Sequence, residues 1–422
     1  MKTASVLDKG SQCQILRAFL SFTAITIGLF AGRVHANFDQ SVEEALKVGG
    51  GQIKFNLRYR FENANTKGTT KKTGNASTVR LRLGYLTPSF AGFKGFGEWE
   101  ANQDVGENDY ASSRNGTLRK TQFDVIQDPQ DSELNQLWIS YAGIPNTEIK
   151  VGRQRIKFDN DRFIGNVGWR QLEQTYDSVL ITNQSLTDTT IRMGYLNQVK
   201  TIVSTTDDMD SPIFNLAYDG FNAGKLIGYA YLLDYNDSAL YGRSSQTYGA
   251  RFKGSMPITE GLTALYTAEY AWQKDYEHNP RAFEVGYYNL SAGVSAFGVT
   301  AQIAMEQLDG QDGQGFSTPL GTNHAFQGWA DLFLATPTAG IRDIYGTLST
   351  KVMGIKMMGV YHNFEDDTGN TDFGEEYDFL VVKKFGKHYT VLAKYAHFNS
   401  DKSALFGGPD TQKLWLQVSM SF

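Results

Sequence analysis

The chain carries a single cysteine, Cys13, and it falls inside an N-terminal stretch that reads as an export leader. Lys2, Lys9 and Arg17 precede an apolar run from Ala18 to Gly32, and small residues close the segment at Ala36, the three-part order of a secretory signal. The run is shorter than the roughly 20 apolar residues that span a bilayer, so a cleaved leader over 1–36 is expected rather than an anchor. An exported chain without disulfides cannot be a small stapled domain; burial or a closed backbone network has to hold it. No later apolar run is long enough for a transmembrane helix. Basic excess is missing too: the net charge is −5, and removing the leader's net +3 leaves −8, which excludes a globally basic nucleic-acid binder. What is abundant is 27 Phe, 22 Tyr and 43 Gly beside only 9 Pro. An exported chain of this kind without helical spans points to an outer-membrane β-barrel.

The period of the sequence supports this. In "IKFNLRYRFE" (53–62), Ile53, Phe55, Leu57, Tyr59 and Phe61 share one face and Lys54, Asn56, Arg58, Arg60 and Glu62 the other, the alternation of a half-buried strand. The last segment, "KLWLQVSMSF", sets Leu414, Leu416, Val418, Met420 and Phe422 against Lys413, Trp415, Gln417, Ser419 and Ser421. "TVRLRLGYL", "TTIRMGYLN", "TYGARFKGS" and "GLTALYTAEYAWQ" repeat the pattern. In a soluble sandwich the apolar face is the core; in a membrane barrel it meets lipid while the polar face lines the lumen.

Connection lengths separate these two architectures. Long linkers (62–76, 104–132, 154–173) alternate with short ones (88–92, 143–146, 183–188). An up-and-down barrel requires that parity, with tight periplasmic turns and longer extracellular loops. The reading is therefore all-β: a transmembrane up-and-down antiparallel barrel of about 18 strands over 51–422. Sixteen strands are the alternative, because 375–386 is apolar on both faces and 341–353 alternates poorly. Residues 37–50 have a helical period and form a periplasmic lead-in. The Gram-negative outer membrane, with its lipid and lipopolysaccharide, is the expected surrounding.

Assigning strand residues by parity places Arg58, Arg60, Arg80, Arg82, Arg192, Arg251, Lys394 and Lys413 in the lumen, opposed by Glu62, Glu98, Glu100, Asp177, Glu269, Glu284 and Glu306. Acidic residues crowd the loops instead, as in "EDDTGNTDFGEE" (365–376). A basic ring within low-dielectric walls concentrates anions. Arg58, Arg60, Arg80 and Arg82 should be close neighbours, and four like charges repel unless an anion or a carboxylate sits among them. The segment 154–173 combines many charges with Phe158, Phe163 and Trp169; aromatics seek cover, so this extracellular loop is expected to fold inward and narrow the pore. In 309–340 and beyond, "WADLFL" suggests a helical turn, and the segment is either a second plug or an extracellular cap.

Three stretches also carry a family likeness. "VGRQRIKFDNDRFIGNVGWRQLEQTYDSVLI" (151–181), "FSTPLGTNHAFQGWADLFLATPTAGIRDIYG" (316–346) and the entry strand "EEALKVGGGQIKFNLRYRFE" resemble the alginate-export family of Gram-negative outer-membrane barrels. The resemblance implies a monomeric barrel that passes an anionic polysaccharide passively through a basic constriction, with Arg153, Arg155, Asp177 and Arg170 lining the pore. This chain looks shorter than a dedicated alginate exporter, so other anionic solutes are open.

An enzyme is not expected. No G-x-S-x-G or H-E-x-x-H pattern occurs, no metal-ligand cluster or phosphate-binding glycine loop is apparent, and no histidine pairs with a plausible nucleophile and acid; no cofactor is expected. His324 is the one histidine singled out for testing. The function expected is an outer-membrane channel for anionic saccharides, polyuronates or similar organic anions through an arginine-lined constriction. The alternatives are a nonspecific porin for small hydrophilic solutes and a surface-binding barrel with a sealed lumen.

Overall fold

The computed structural model describes residues 34–401 and 408–422. The expected leader thus lies outside the described residues except for Val34–Ala36, which begin a helix, α1 (Val34–Ala45). No helix among the described residues is long and apolar enough to cross a membrane; that role falls to strands.

Eighteen strands form a closed antiparallel barrel. They are β1 (Gly51–Thr66), β2 (Gly74–Leu86), β3 (Phe93–Asp109), β4 (Asp131–Ile144), β5 (Thr147–Gln154), β6 (Thr175–Asn183), β7 (Thr189–Lys200), β8 (Thr206–Phe221) and β9 (Gly224–Leu233). The second half comprises β10 (Ser245–Thr259), β11 (Leu262–Asp275), β12 (Glu284–Ala296), β13 (Val299–Leu308), β14 (Ile341–Val352), β15 (Ile355–Glu365), β16 (Asp372–Phe385), β17 (Tyr389–Ser400) and β18 (Thr411–Ser421). Each pairs with its neighbour, and β1 closes on β18 from Asn56↔Ser421 to Thr66↔Thr411. Closure leaves no barrel edge unpaired, the condition for backbone in a bilayer. Both ambiguous segments are strands, β14 and β16, so the count is eighteen and not sixteen. Short turns at 145–146, 222–223, 260–261, 297–298 and 353–354 mark one end. The long loops 110–130, 155–174 and 309–340 mark the other, which is extracellular by the barrel rule.

Parity sorts the faces. Leu83, Trp99, Ile139, Met193, Tyr270, Leu290, Ile303 and Phe379 are exposed on the outer wall, where lipid covers them. An apolar furrow of about 780 Å³ over Ala292, Ala301, Gly346 and Gly359 belongs to this membrane face. The alternate residues Arg60, Glu62, Arg80, Glu100, Glu269 and Glu306 are buried inside.

α1 docks at the turn end. Tyr389 Oη donates to Asp39 Oδ1 at 2.9 Å, and His388 Nε2 meets Glu43 Oε1 at 2.9 Å. The His388 ring also stacks on Phe422, centroids 4.1 Å apart. The helical period of the lead-in thus becomes a helix that reports to the last turn and the last residue.

The lumen is not lined by polar groups alone. β9 turns Ile227, Tyr229, Tyr231 and Leu233 inward, and these join Phe158, Phe163, Ile164, Tyr287, Phe316, Leu320, Phe333, Phe364 and Trp415 in one buried apolar cluster. This interior core, supplied by strands and loops together, carries the constriction.

Candidate pore constriction

Loop 155–174 folds inward, as its aromatics require. Phe158 and Phe163 are buried, and the Phe163 ring lies 5.1 Å from Tyr229, 5.3 Å edge-on from Tyr287 and 6.0 Å from Phe316. Burying such rings is worth about 1.5–3 kcal/mol each, far more than a solvated loop tip offers. Loop 309–340 also folds inward, which makes it a plug and not a cap. Its regular turn is the 3-10 segment Asn323–Ala325; "WADLFL" forms no helix, because Trp329 and Ala330 donate their backbone N–H groups to Asp378 Oδ2 (3.2 Å) and Glu376 Oε1 (2.7 Å) on β16 instead of to an intrahelical ladder.

The two loops meet in a seam. Gly165 N donates to Leu320 O at 2.9 Å and Thr322 N to Asp161 O at 2.8 Å. Arg162, fully covered, donates to Asn323 Oδ1 (3.2 Å) and Gln327 Oε1 (3.0 Å) and pairs with Glu306 on β13 at 2.9 Å.

The predicted site residues fall into three groups. In the first, carboxylates oppose the arginines. Arg60 meets Asp128 at 3.5 Å; Arg82 meets Glu100 at 2.6 Å and Glu173 at 3.3 Å; Arg155 pairs with Glu173 and with Glu98 at 3.6 Å. Arg170 bridges Glu62 (3.1 Å), Asp331 (2.9 Å) and Asp128 (3.8 Å), and Arg251 lies 3.5 Å from Glu269. Buried guanidiniums without such partners are prohibitively costly.

In the second group no carboxylate lies within ion-pair distance among the described residues. Arg58 and Arg80 stand directly opposite each other. Arg58 donates to the carbonyl oxygens of Gly168, Trp169 and Arg170 at 3.1–3.2 Å, so the loop backbone caps it. Arg80 donates to Asn56 Oδ1 and to Gln171 O. Arg192 bonds Asn215 at 3.3 Å. Lys394 sits among three indoles, 3.7 Å from the centroid of Trp329, 4.4 Å from Trp169 and 5.4 Å from Trp415.

The third group corrects three expectations. Arg153 and Asp177 do not face the lumen. They share the faces of Val151 and Val179, which are 44% and 40% exposed on the outer wall, whereas the neighbouring Gln154 and Tyr176 point inward and are buried. The two pair with each other there at 2.7 Å. Glu284 likewise faces outward, accepting from Trp272 Nε1 at 2.7 Å.

Lys394 has a further partner, His324 Nε2 at 2.7 Å. An ammonium only donates, so Nε2 accepts; the ring is neutral, with its proton on Nδ1 toward Asp331 Oδ1 at 2.5 Å. The His324 ring stacks on Trp169, centroids 4.6 Å apart at 7°. Asp331 also takes Arg170 and Lys413. From sequence, Lys394, Arg170, His324 and the inward parity of Lys413 were each singled out; Asp331 and the meeting of these residues in one knot were missed. The available signal was Trp415, an indole on the polar face of the last strand.

Below the plug lie two cavities at the turn end. One, of about 650 Å³, is lined by Lys54, Arg58, Arg82, Arg155 and Lys157 against Glu98 and Glu173, with Phe96 and Trp138. The other, of about 760 Å³, is lined by Lys225, Arg251 and Lys253 with Asn289, Gln302, Phe326 and Tyr345. Both lean basic.

A closed antiparallel barrel with an apolar outer wall, a charged lumen and loops folded into it is a porin-like outer-membrane protein, not an enzyme. Residues 51–308, more than half of the chain, match the alginate export family, and the chain belongs to that family. Solved structures with the same fold include Pseudomonas aeruginosa OpdQ (TM-score 0.67, 12% identity, 89% of this chain and 99% of that one). Acinetobacter baumannii OccAB3 (0.69, 13%, 89% and 100%) and P. aeruginosa OpdK with vanillate (0.67, 12%, 88% and 98%) are others. No curated protein matches the sequence. The barrel resides in the Gram-negative outer membrane.

Proposed function

We propose that the protein is a channel for anionic saccharides or similar small organic anions, selected at the Arg58–Arg80 pair and the basic cavity beneath it. One observation carries this reading. Arg58 and Arg80 stand directly opposite each other on the lumen wall, neither with a carboxylate in ion-pair distance among the described residues, and Arg58 opens onto the cavity that also holds Arg82 and Arg155. A structural ladder balances its charges, as Arg82 and Arg170 do; a pair left unbalanced inside low-dielectric walls attracts a mobile anion. OpdK, with this fold, was solved with vanillate, an aromatic carboxylate, which accords with organic anions as the solute class.

The test is ion selectivity in planar bilayers. Arg58→Ala is expected to reduce the anion-over-cation permeability ratio several-fold and to weaken block by an oligouronate, while the barrel still inserts. Unchanged selectivity refutes the assignment.

The second reading, a sealed barrel that anchors surface loops, is favoured by the hydrogen-bonded seam between loops 155–174 and 309–340. It predicts no conductance at any voltage the bilayer tolerates.

A further inference from the structure

The two cavities beneath the plug differ in the state of their neutral side chains. In the cavity below Arg58 the amides are occupied: Asn56 accepts from Arg80, Gln136 donates to Glu98 at 3.0 Å and Asn166 to Glu173 at 2.6 Å. The cavity across the lumen is lined by Thr267, Asn289, Ser291 and Gln302, with Tyr345 from β14. Of these, Asn289 and the Tyr345 hydroxyl engage each other. The side chains of Thr267, Ser291 and Gln302 have no hydrogen-bond partner among the described residues.

Strand register sets their placement. Thr267 on β11 stands directly opposite Ser291 on β12, and Gln302 on β13 stands opposite Gly293 on β12 and Thr347 on β14. All three are in step with buried lumen residues: Thr267 with Glu269, Ser291 with Asn289, and Gln302 with Glu306. Gly293 offers Gln302 no side chain to bond, and a Cβ added there would lie 3.0 Å from Gln302 Cβ. Bracing side chains elsewhere in the lumen find each other across strands, as Gln273 does with Thr247 (2.8 Å) and Thr300 with Ser295 (3.1 Å). The cations of this cavity are mostly paired: Lys225 meets Asp219 at 3.0 Å and Arg251 lies 3.5 Å from Glu269, which leaves Lys253. The two inward loops roof the space with Asn160 and Phe326. Its volume of about 760 Å³ falls in the range of small-molecule sites, roughly 300–1,000 Å³.

Hydroxyl and amide groups both donate and accept. Unpaired in a row across three strands and set beside aromatic rings, they match a sugar ring, which carries hydroxyls around its edge and apolar C–H groups on its face. We propose that this wall is a binding subsite for an uncharged saccharide, whose hydroxyls exchange hydrogen bonds with Thr267, Ser291 and Gln302 while its apolar face packs against Phe326. The subsite goes beyond the anion reading, which rests on Arg58 and Arg80 across the lumen, and either can fail without the other. A carboxylate gains less here than a hydroxyl does, because an anion uses donors alone and leaves the acceptor oxygens of Thr267, Ser291 and Gln302 unused. Lys253 lies two residues nearer the turn than Arg251 on the same face of β10, at the rim of the cavity.

The test uses the full-length mature protein in detergent micelles and three neutral disaccharides, cellobiose, maltose and lactose, with glycerol and glucuronate as comparisons. Calorimetry is expected to show at least one disaccharide binding roughly tenfold or more tighter than glycerol. Its affinity should hold as salt is raised, since no charge is recruited. The double change Ser291→Ala, Gln302→Ala should weaken binding roughly tenfold, as loss of two hydrogen bonds does. Neither side chain has a partner to strand, so the barrel should fold as before, and unchanged thermal melting checks that. Lys253→Gln should leave the affinity within about twofold of wild type, and this variant reads the site even if the double change unfolds. Four results overturn the inference: no disaccharide bound more tightly than glycerol, binding indifferent to a correctly folded double variant, binding that fades with salt or with Lys253→Gln, or glucuronate preferred to every neutral sugar.

Discussion

Replacing Lys394 by methionine keeps the length and apolar stem of the side chain and removes its charge. In the structure that charge holds both inward loops to the wall, through Trp169 of one, Trp329 and His324 of the other, and Trp415 of β18. Two indole centroids lie within 4.4 Å of the ammonium, and a desolvated cation–π contact is worth about 1–2 kcal/mol. The hydrogen bond to the neutral His324 adds about 1.5–3 kcal/mol, being charge-assisted. Against this gross of about 5 kcal/mol stands the several kcal/mol needed to desolvate a buried ammonium, which the methionine does not incur. The net expectation is a loss of about 2–3 kcal/mol in docking of loop 309–340, a roughly 30–150-fold rise in the population of its detached state. Hydrogen exchange reads this directly, because the Trp329 and Ala330 amides are protected only by Asp378 and Glu376. Exchange of a peptide spanning 322–334 should accelerate by that factor while strand amides of β17 stay protected. Loop protection within threefold of wild type refutes the idea that the caged lysine pins the plug.

Two further substitutions probe the same architecture. Gly328 has φ +78°, and a Cβ there would lie 2.5 Å from a Glu376 carboxylate oxygen; Gly354 has the same φ with open space around it. Gly328→Ala should therefore destabilise more than Gly354→Ala, which bears only the backbone penalty of about 1 kcal/mol, and thermal melting of the two variants side by side measures the difference; equal losses refute the carboxylate contact. Arg153→Gln, on the outer wall, should leave ion selectivity unchanged, because its partner Asp177 also faces away from the lumen. A change in reversal potential as large as that of Arg58→Ala would return Arg153 to the lumen.

The amino-acid sequence by itself determined the barrel. Alternation of apolar and polar residues is a local property of each strand, and the parity of long and short connections follows from chain order, so topology, closure and the basic inward set from Arg58 to Lys413 were legible without coordinates, while Asp177 and Glu284 were assigned to the wrong face. The inward fold of loop 155–174 was legible too, since Phe158 and Phe163 need cover wherever they sit. The same alternation, Ile149, Val151, Arg153, already placed Arg153 outside; family likeness alone argued for the lumen, and the outer face tolerates the charge because Asp177 stands opposite it. Only the tertiary structure decided which charges are spent. Glu62, Asp128 and Asp331 reach Arg170 from three distant parts of the chain, and the three indoles around Lys394 come from residues 169, 329 and 415. No period or spacing encodes such meetings: they depend on where two loops land inside a closed wall, and that is set by the summed packing of the interior core rather than by any one segment.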